Sequence, residues 1–164
     1  KTTLAYQVAA LRQGRFPGGT VKVELNNRTP DLVLSDLIEA LTGRRPQPGD
    51  WFKLVRAQLA SRPPMLVILD NVRLDTGPWS EPKTLTALLD ALAPATLIMT
   101  TRSRSALTGF ASIEVESLPE ELAIRMMTSL RAQHGQPSDS VTTPKIVREL
   151  GGLPKAIEVA AALL

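Results

Sequence analysis

The sequence opens on Lys1-Thr2-Thr3, and these residue types suit phosphate chemistry. A loop that cradles phosphates ends in a lysine and a Ser or Thr at the start of a helix. The lysine reaches the β- and γ-phosphates, and the adjacent hydroxyl ligates Mg²⁺. The helix start adds free N–H groups and the positive end of its dipole. Lys1, Thr2 and the segment after them fit these roles, although a solvated helix start reads the same way in isolation. Asp70 is the second candidate. It ends the apolar run Met65-Leu66-Val67-Ile68-Leu69, which has no exposed face and so suits a central strand of a parallel sheet. A carboxylate at the end of such a strand can hold Mg²⁺ directly or through water; a surface Asp capping a turn is the plain alternative. Arg102 follows another apolar strand, LIMTT, at the sheet edge where open α/β folds bind ligands. There it can meet a γ-phosphate, or lie exposed on a loop that also carries Arg104. Gly151-Gly152-Leu153-Pro154 is a rigid turn that starts a helix, or a simple helix break.

These residues need elements to hold them. Thr2 to Gln13 has Leu4, Val8 and Leu11 recurring near helical spacing, with Gly14 closing it. Phe16 to Gly19 is a turn cluster, and Thr20 to Leu25 alternates like a strand. Thr29-Pro30-Asp31 opens a helix with Leu34, Leu37, Ile38 and Leu41 on one face. Asp50 caps another, with Phe52, Val55 and Leu59 on its buried side. After the strand ending at Asp70, Gly77-Pro78-Trp79 marks a loop and Pro82 to Leu92 a helix. Ala95 to Thr100 reads as a second buried strand, and Ala111 to Val115 as a third. Beyond Leu118 only helical patterns remain, near Glu120–His134, Thr143–Leu150 and Pro154–Leu164. Strands interleaved with helices imply a parallel sheet covered on both faces. The expected division is an α/β layer over residues 1–117 and a small helical part over 118–164.

Bulk properties bound the remaining classes. Hydrophobic residues make up 43% and charged residues 21%, an ordinary globular balance. Cysteine is absent, which excludes disulfides and thiolate-ligated metals and suits a cytoplasmic setting. The net charge of +3 argues only weakly for nucleic acid. Basic residues of the helical part, such as Arg125, Arg131 and Arg148, are interleaved with Glu120, Glu121 and Glu149, as on a solvated face. No direct nucleic-acid binding and no membrane span are expected. His134 has no partner at metal-ligand spacing, and Trp51 and Trp79 read as packing anchors.

Taken in order, the stretches KTTLA, LVILDN, LIMTTR and GGLPKAI resemble the STAND (NB-ARC-like) P-loop NTPases, in the style of bacterial regulators. That family runs GxxGxGKTTLA, an apolar strand ending in Asp, a TTR or TSR sensor strand, and GLPL. Leu118 to Ala123 is similar to the start of its ARC-type helical subdomain, so the resemblance spans essentially the whole chain. It implies an α/β, three-layer P-loop NTPase sheet with helices on both faces, followed by the helical subdomain. It also implies ATP or ADP with Mg²⁺ as ligands. Lys1 would hold the β/γ-phosphates, Thr2 and Asp70 the metal, with Thr3 close to the phosphates. Arg102 would sense the γ-phosphate, and Gly152, Leu153 and Pro154 would shape the turn against base or ribose. Partners would be effector, winged-helix and sensor-repeat domains of a longer chain, with nucleotide-driven homo-oligomers.

Three departures qualify this picture. The phosphate-cradling glycines and the strand before them do not precede Lys1 in the sequence, so they are expected in a longer parent; without that strand, apolar edges of its neighbours are expected to be exposed. The residue after Asp70 is Asn71, whose neutral amide cannot act as a general base. Slow hydrolysis follows, as in a switch rather than an active AAA-type motor, with Asp75 as a substitute acid on a loop. Lys155 stands where the family has an apolar residue and reads as a solvated helix-start residue. A degenerate interaction module without nucleotide is the third reading.

Overall fold

A computed structural model describes residues 1–47, 49–103, 107–137 and 139–164. The chain divides into two compact units, Lys1–Phe110 and Ala111–Leu164, a division ahead of the change in texture near residue 117.

The first unit is mixed α/β. Three parallel strands, β1 (Thr20–Glu24), β2 (Leu66–Val72) and β3 (Thr96–Thr101), lie in the order β1-β2-β3. Parallel neighbours require crossovers. Helices α2 (Pro30–Thr42) and α3 (Trp51–Ala60) join β1 to β2, and α4 (Pro82–Leu92) joins β2 to β3. Helix α1 (Thr2–Leu11) precedes them all. Val67 pairs with Val21 and Leu97, and Leu69 with Val23 and Met99. This face packs against α2, α3 and α4 in one large core that includes Leu34, Leu37, Val55, Leu88 and Trp79. Leu66 and Ile68 point to the opposite face and pack on Ala5 and Ala9 of α1.

The buried face of α1 is therefore not the one its leucine spacing suggests. Leu4, Val8 and Leu11 are exposed, Leu11 by 80%. The small side chains of Ala5 and Ala9 let the helix backbone approach the sheet closely, and they take the inward positions. Caps behave as expected elsewhere: Pro30 opens α2, Gly43 ends it in the left-handed conformation, and the Asp50 carboxylate accepts from the Lys53 N–H. Strand β2 is paired on both sides, so no open edge lies beside it. Strand β3 is an outer strand, like β1, and its Leu97, Ile98 and Met99 are only half-buried rather than fully enclosed.

Ala111 to Val115 is not a strand. No strand pairs with it among the described residues, and Ile113 is 84% exposed. Alternation specifies which face a strand would bury, not that a neighbour exists to bury it.

The second unit holds α5 (Glu120–Gln133), α6 (Thr142–Glu149) and α7 (Pro154–Leu163) around Ala123, Met127, Val147, Ile157 and Ala161. With α1 to α4 these make seven α-helices among the described residues. Gly152 ties the turn before α7 to the lead-in of α5: its carbonyl accepts from the Leu118 N–H at 2.9 Å. Its φ is +65°, and a Cβ there would lie 2.5 Å from the Leu118 carbonyl oxygen. Only glycine fits both conditions.

Candidate functional site

The carboxyl end of β2 and the start of α1 meet at Asp70. The residue is 4% exposed, and both of its oxygens are occupied. Oδ1 accepts from the Thr2 hydroxyl at 2.8 Å and from the Thr100 hydroxyl at 2.6 Å. Oδ2 lies 3.1 Å from the Lys22 ammonium. Thr100 is itself fixed, because its Oγ1 accepts the Asn71 backbone N–H at 2.9 Å. Burial pushes the Asp70 carboxyl up, but the hydrogen bonds from Thr100, Thr2 and Lys22, with the Lys22 charge, outweigh it and hold the group below its ordinary value. Lys22 is held above its own ordinary value by Tyr6 and then by Asp70. The site therefore carries a carboxylate at neutral pH.

Local sequence explains the arrangement. Lys22, Ile68 and Ile98 share a register line, and Glu24 is level with Asp70. Period-two alternation then places Lys22, Asp70 and Thr100 on the α1 face of the sheet. Just past Asp70 the β2–β3 pairing shifts register between Leu69 and Val72, and Asn71 adopts φ +58°. Asn tolerates that left-handed conformation better than most residues. The first N–H groups of a helix have no intrahelical acceptor, and no side chain caps those of α1.

The expected residues fall into two sets. Lys1, Thr2, Asp70 and Arg102 lie at one end of the sheet. Lys1 Nζ donates to the Thr101 carbonyl at the tip of β3, at 2.7 Å, and Arg102 follows directly, exposed. Thr3 is exposed on the first turn of α1. Gly152, Leu153 and Pro154 belong to the helical unit, where Gly152 is buried, Leu153 and Pro154 are exposed, and Pro154 starts α7. Arg104 lies outside the described residues. Asp75 is 62% exposed and 3.8 Å from Arg73. Lys155 is exposed beside Glu158 at 3.0 Å, and His134 is exposed at the end of α5.

Sequence reasoning missed Lys22 and Thr100. Thr100 had a usable signal, as a polar residue closing an otherwise apolar strand. Lys22 had none, because its reach to Asp70 depends on the register between β1 and β2.

No cluster of three or more His, Cys, Asp or Glu side chains that could cage a metal occurs among the described residues. One carboxylate and one hydroxyl match instead the way Mg²⁺ is held, by one or two protein groups with phosphates and waters completing the octahedron. A scan against models of known protein families matches none of them, and a search of curated proteins finds no match.

Proposed function

We propose that the chain is the nucleotide-binding core of an ATP/ADP-controlled switch, a cytoplasmic P-loop NTPase of the STAND type. The observation that carries the reading is the 2.8 Å contact between the Thr2 hydroxyl and the Asp70 carboxylate. It joins the Lys-Thr helix start to the acid of the apolar strand, a pair sixty-eight positions apart in sequence. These are the two groups that magnesium-phosphate chemistry requires side by side.

In this reading Thr2 and Asp70 hold Mg²⁺, which neutralises phosphate charge when bound. Lys1 exchanges the Thr101 carbonyl for the β/γ-phosphates. Thr3 and the free N–H groups of α1 face the same anion. Arg102, which has no side-chain partner among the described residues, is available to report a γ-phosphate. Gly152, Leu153 and Pro154 contact base or ribose. Asn71 supplies no general base, so turnover is slow and the nucleotide acts by shifting populations between two forms. Effector and sensor domains of a longer chain, and a second copy of the protein, are the partners of such a switch. No helix among the described residues is long and apolar enough to cross a membrane.

The test is nucleotide content. The protein, in the longest form its gene encodes, is purified and denatured, and the released nucleotide is identified by chromatography. Near-stoichiometric ADP that disappears in Lys1→Ala supports the switch. No bound nucleotide, and no affinity for ATP or ADP with Mg²⁺, overturns it.

A further inference from the structure

Lys22 is the charged group at Asp70 for which the nucleotide reading has no task. Its ammonium lies 3.1 Å from Oδ2, while both hydroxyl donors are on Oδ1. Oδ2 is therefore the oxygen open to a cation, and a cation already stands there. A buried carboxylate without a counter-charge is costly, so the fold satisfies it from β1.

Lys22 is also held from a second side. Its side chain is 32% exposed, against 6% for Asp70. The Tyr6 ring centroid lies 5.1 Å from the ammonium, within cation–π range. Beyond it a groove of about 440 Å³ opens, lined by Tyr6, Ala9, Phe16, Gly19 and Lys22 itself. The ammonium touches the carboxylate and the Tyr6 ring at once, so it can give up the first contact while keeping the second.

We propose that Lys22 is a built-in competitor for the divalent cation: its ammonium occupies Asp70 Oδ2 when no metal is bound, and it retreats toward Tyr6 when Mg²⁺ enters. The inference rests on the magnesium role given to Asp70 above. Its consequence is regulatory. The apparent affinity for metal falls by the fraction of time that Lys22 holds the carboxylate. Metal binding without phosphate is thereby suppressed, and metal and nucleotide load together.

Mn²⁺ is the probe, with the free ion counted by electron paramagnetic resonance in titrations of the unmutated chain, Lys22→Met and Asp70→Asn. Lys22→Met is expected to bind Mn²⁺ about tenfold more tightly than the unmutated chain, and Asp70→Asn to abolish that binding. Tyr6 is the chain's one tyrosine, so 3-fluorotyrosine labelling yields a single ¹⁹F resonance. Mg²⁺ should move that resonance in the unmutated chain and leave it in place in Lys22→Met. Equal Mn²⁺ affinities that both depend on Asp70 would overturn the competition and leave the magnesium site standing. Mn²⁺ binding that ignores Asp70→Asn in every variant would overturn both. If Lys22→Met does not fold, the ¹⁹F signal decides alone: no movement at Mg²⁺ concentrations that fill the Asp70 site overturns the competition.

Discussion

Asn71 illustrates how one position can carry two explanations. In the proposed switch, the lack of a carboxylate after Asp70 argues against fast hydrolysis. The structure adds a backbone reason for an amide there: φ is +58° at the point where the β2–β3 register shifts. A left-handed residue with a Cβ costs about 1–2 kcal/mol, a cost that Asn tolerates and Gly avoids. Asn71→Gly should therefore fold close to normally, while Asn71→Ala should be less stable than the glycine variant by about 1 kcal/mol. Urea denaturation followed by tryptophan fluorescence measures the gap; equal midpoints would mean that the conformation at 71 carries no strain. At this scale the candidate site was partly legible. Lys1, Thr2 and Asp70 declare themselves by residue type beside a helix start or an apolar run. Thr100 and Lys22 do not, because what makes them part of the site is the strand register, and no local pattern encodes which residues of β1 and β3 stand level with Asp70.

Periodicity located the helices well, and α4 spans Pro82–Leu92 as its sequence suggests. It located their faces less well. Leucine spacing on α1 pointed to Leu4, Val8 and Leu11, yet the sheet takes Ala5 and Ala9, because close approach favours small residues over large ones. Strands were legible where the apolar run is continuous, as in β2. Alternation alone misled at Ala111 to Val115, where no neighbouring strand is present among the described residues. Among the helices of the second unit, charge pairing complements the core. Arg148 donates to Glu120 Oε1 from two nitrogens, at 2.8 and 2.7 Å, linking α6 to the first turn of α5. Arg148 holds the Glu120 carboxyl below its ordinary value, against a smaller upward push from burial. A depressed folded value means that the pair's stabilisation is fully present above the ordinary glutamate value of about 4.3, and is lost as the pH falls through the lower folded value. Glu120→Gln should accordingly melt below the unmutated chain at pH 7, with the gap closing toward pH 3. Because the pair is exposed, high salt should also shrink the gap. Circular dichroism melts across that range would refute the assignment if the difference stayed constant with pH.

At the scale of the whole molecule, the α/β unit carries its own reporters. Trp51 and Trp79 both belong to Lys1–Phe110. Trp79 is fully buried, with its indole N–H donating to the Arg28 carbonyl at 3.0 Å, and Trp51 packs at the margin of the same core. Their fluorescence therefore follows the unit that contains Lys1, Thr2 and Asp70. A ligand that binds the folded state alone stabilises it by mass action, by about 2.7 kcal/mol at a hundred times its Kd. If the proposed site is correct, ADP with Mg²⁺ should raise the tryptophan-reported unfolding free energy by about that amount under those conditions. Chelating the metal should remove part of the gain. Asp70→Asn should lose the same part and no more, because Lys1 and the start of α1 still face the phosphates while the metal has lost its carboxylate. The comparison separates metal-dependent from metal-independent binding. A gain that chelation leaves untouched would place the anion elsewhere on the fold. A gain equally large in Asp70→Asn with metal present would remove Asp70 from the metal site and leave its three-partner network as a packing device at the end of β2.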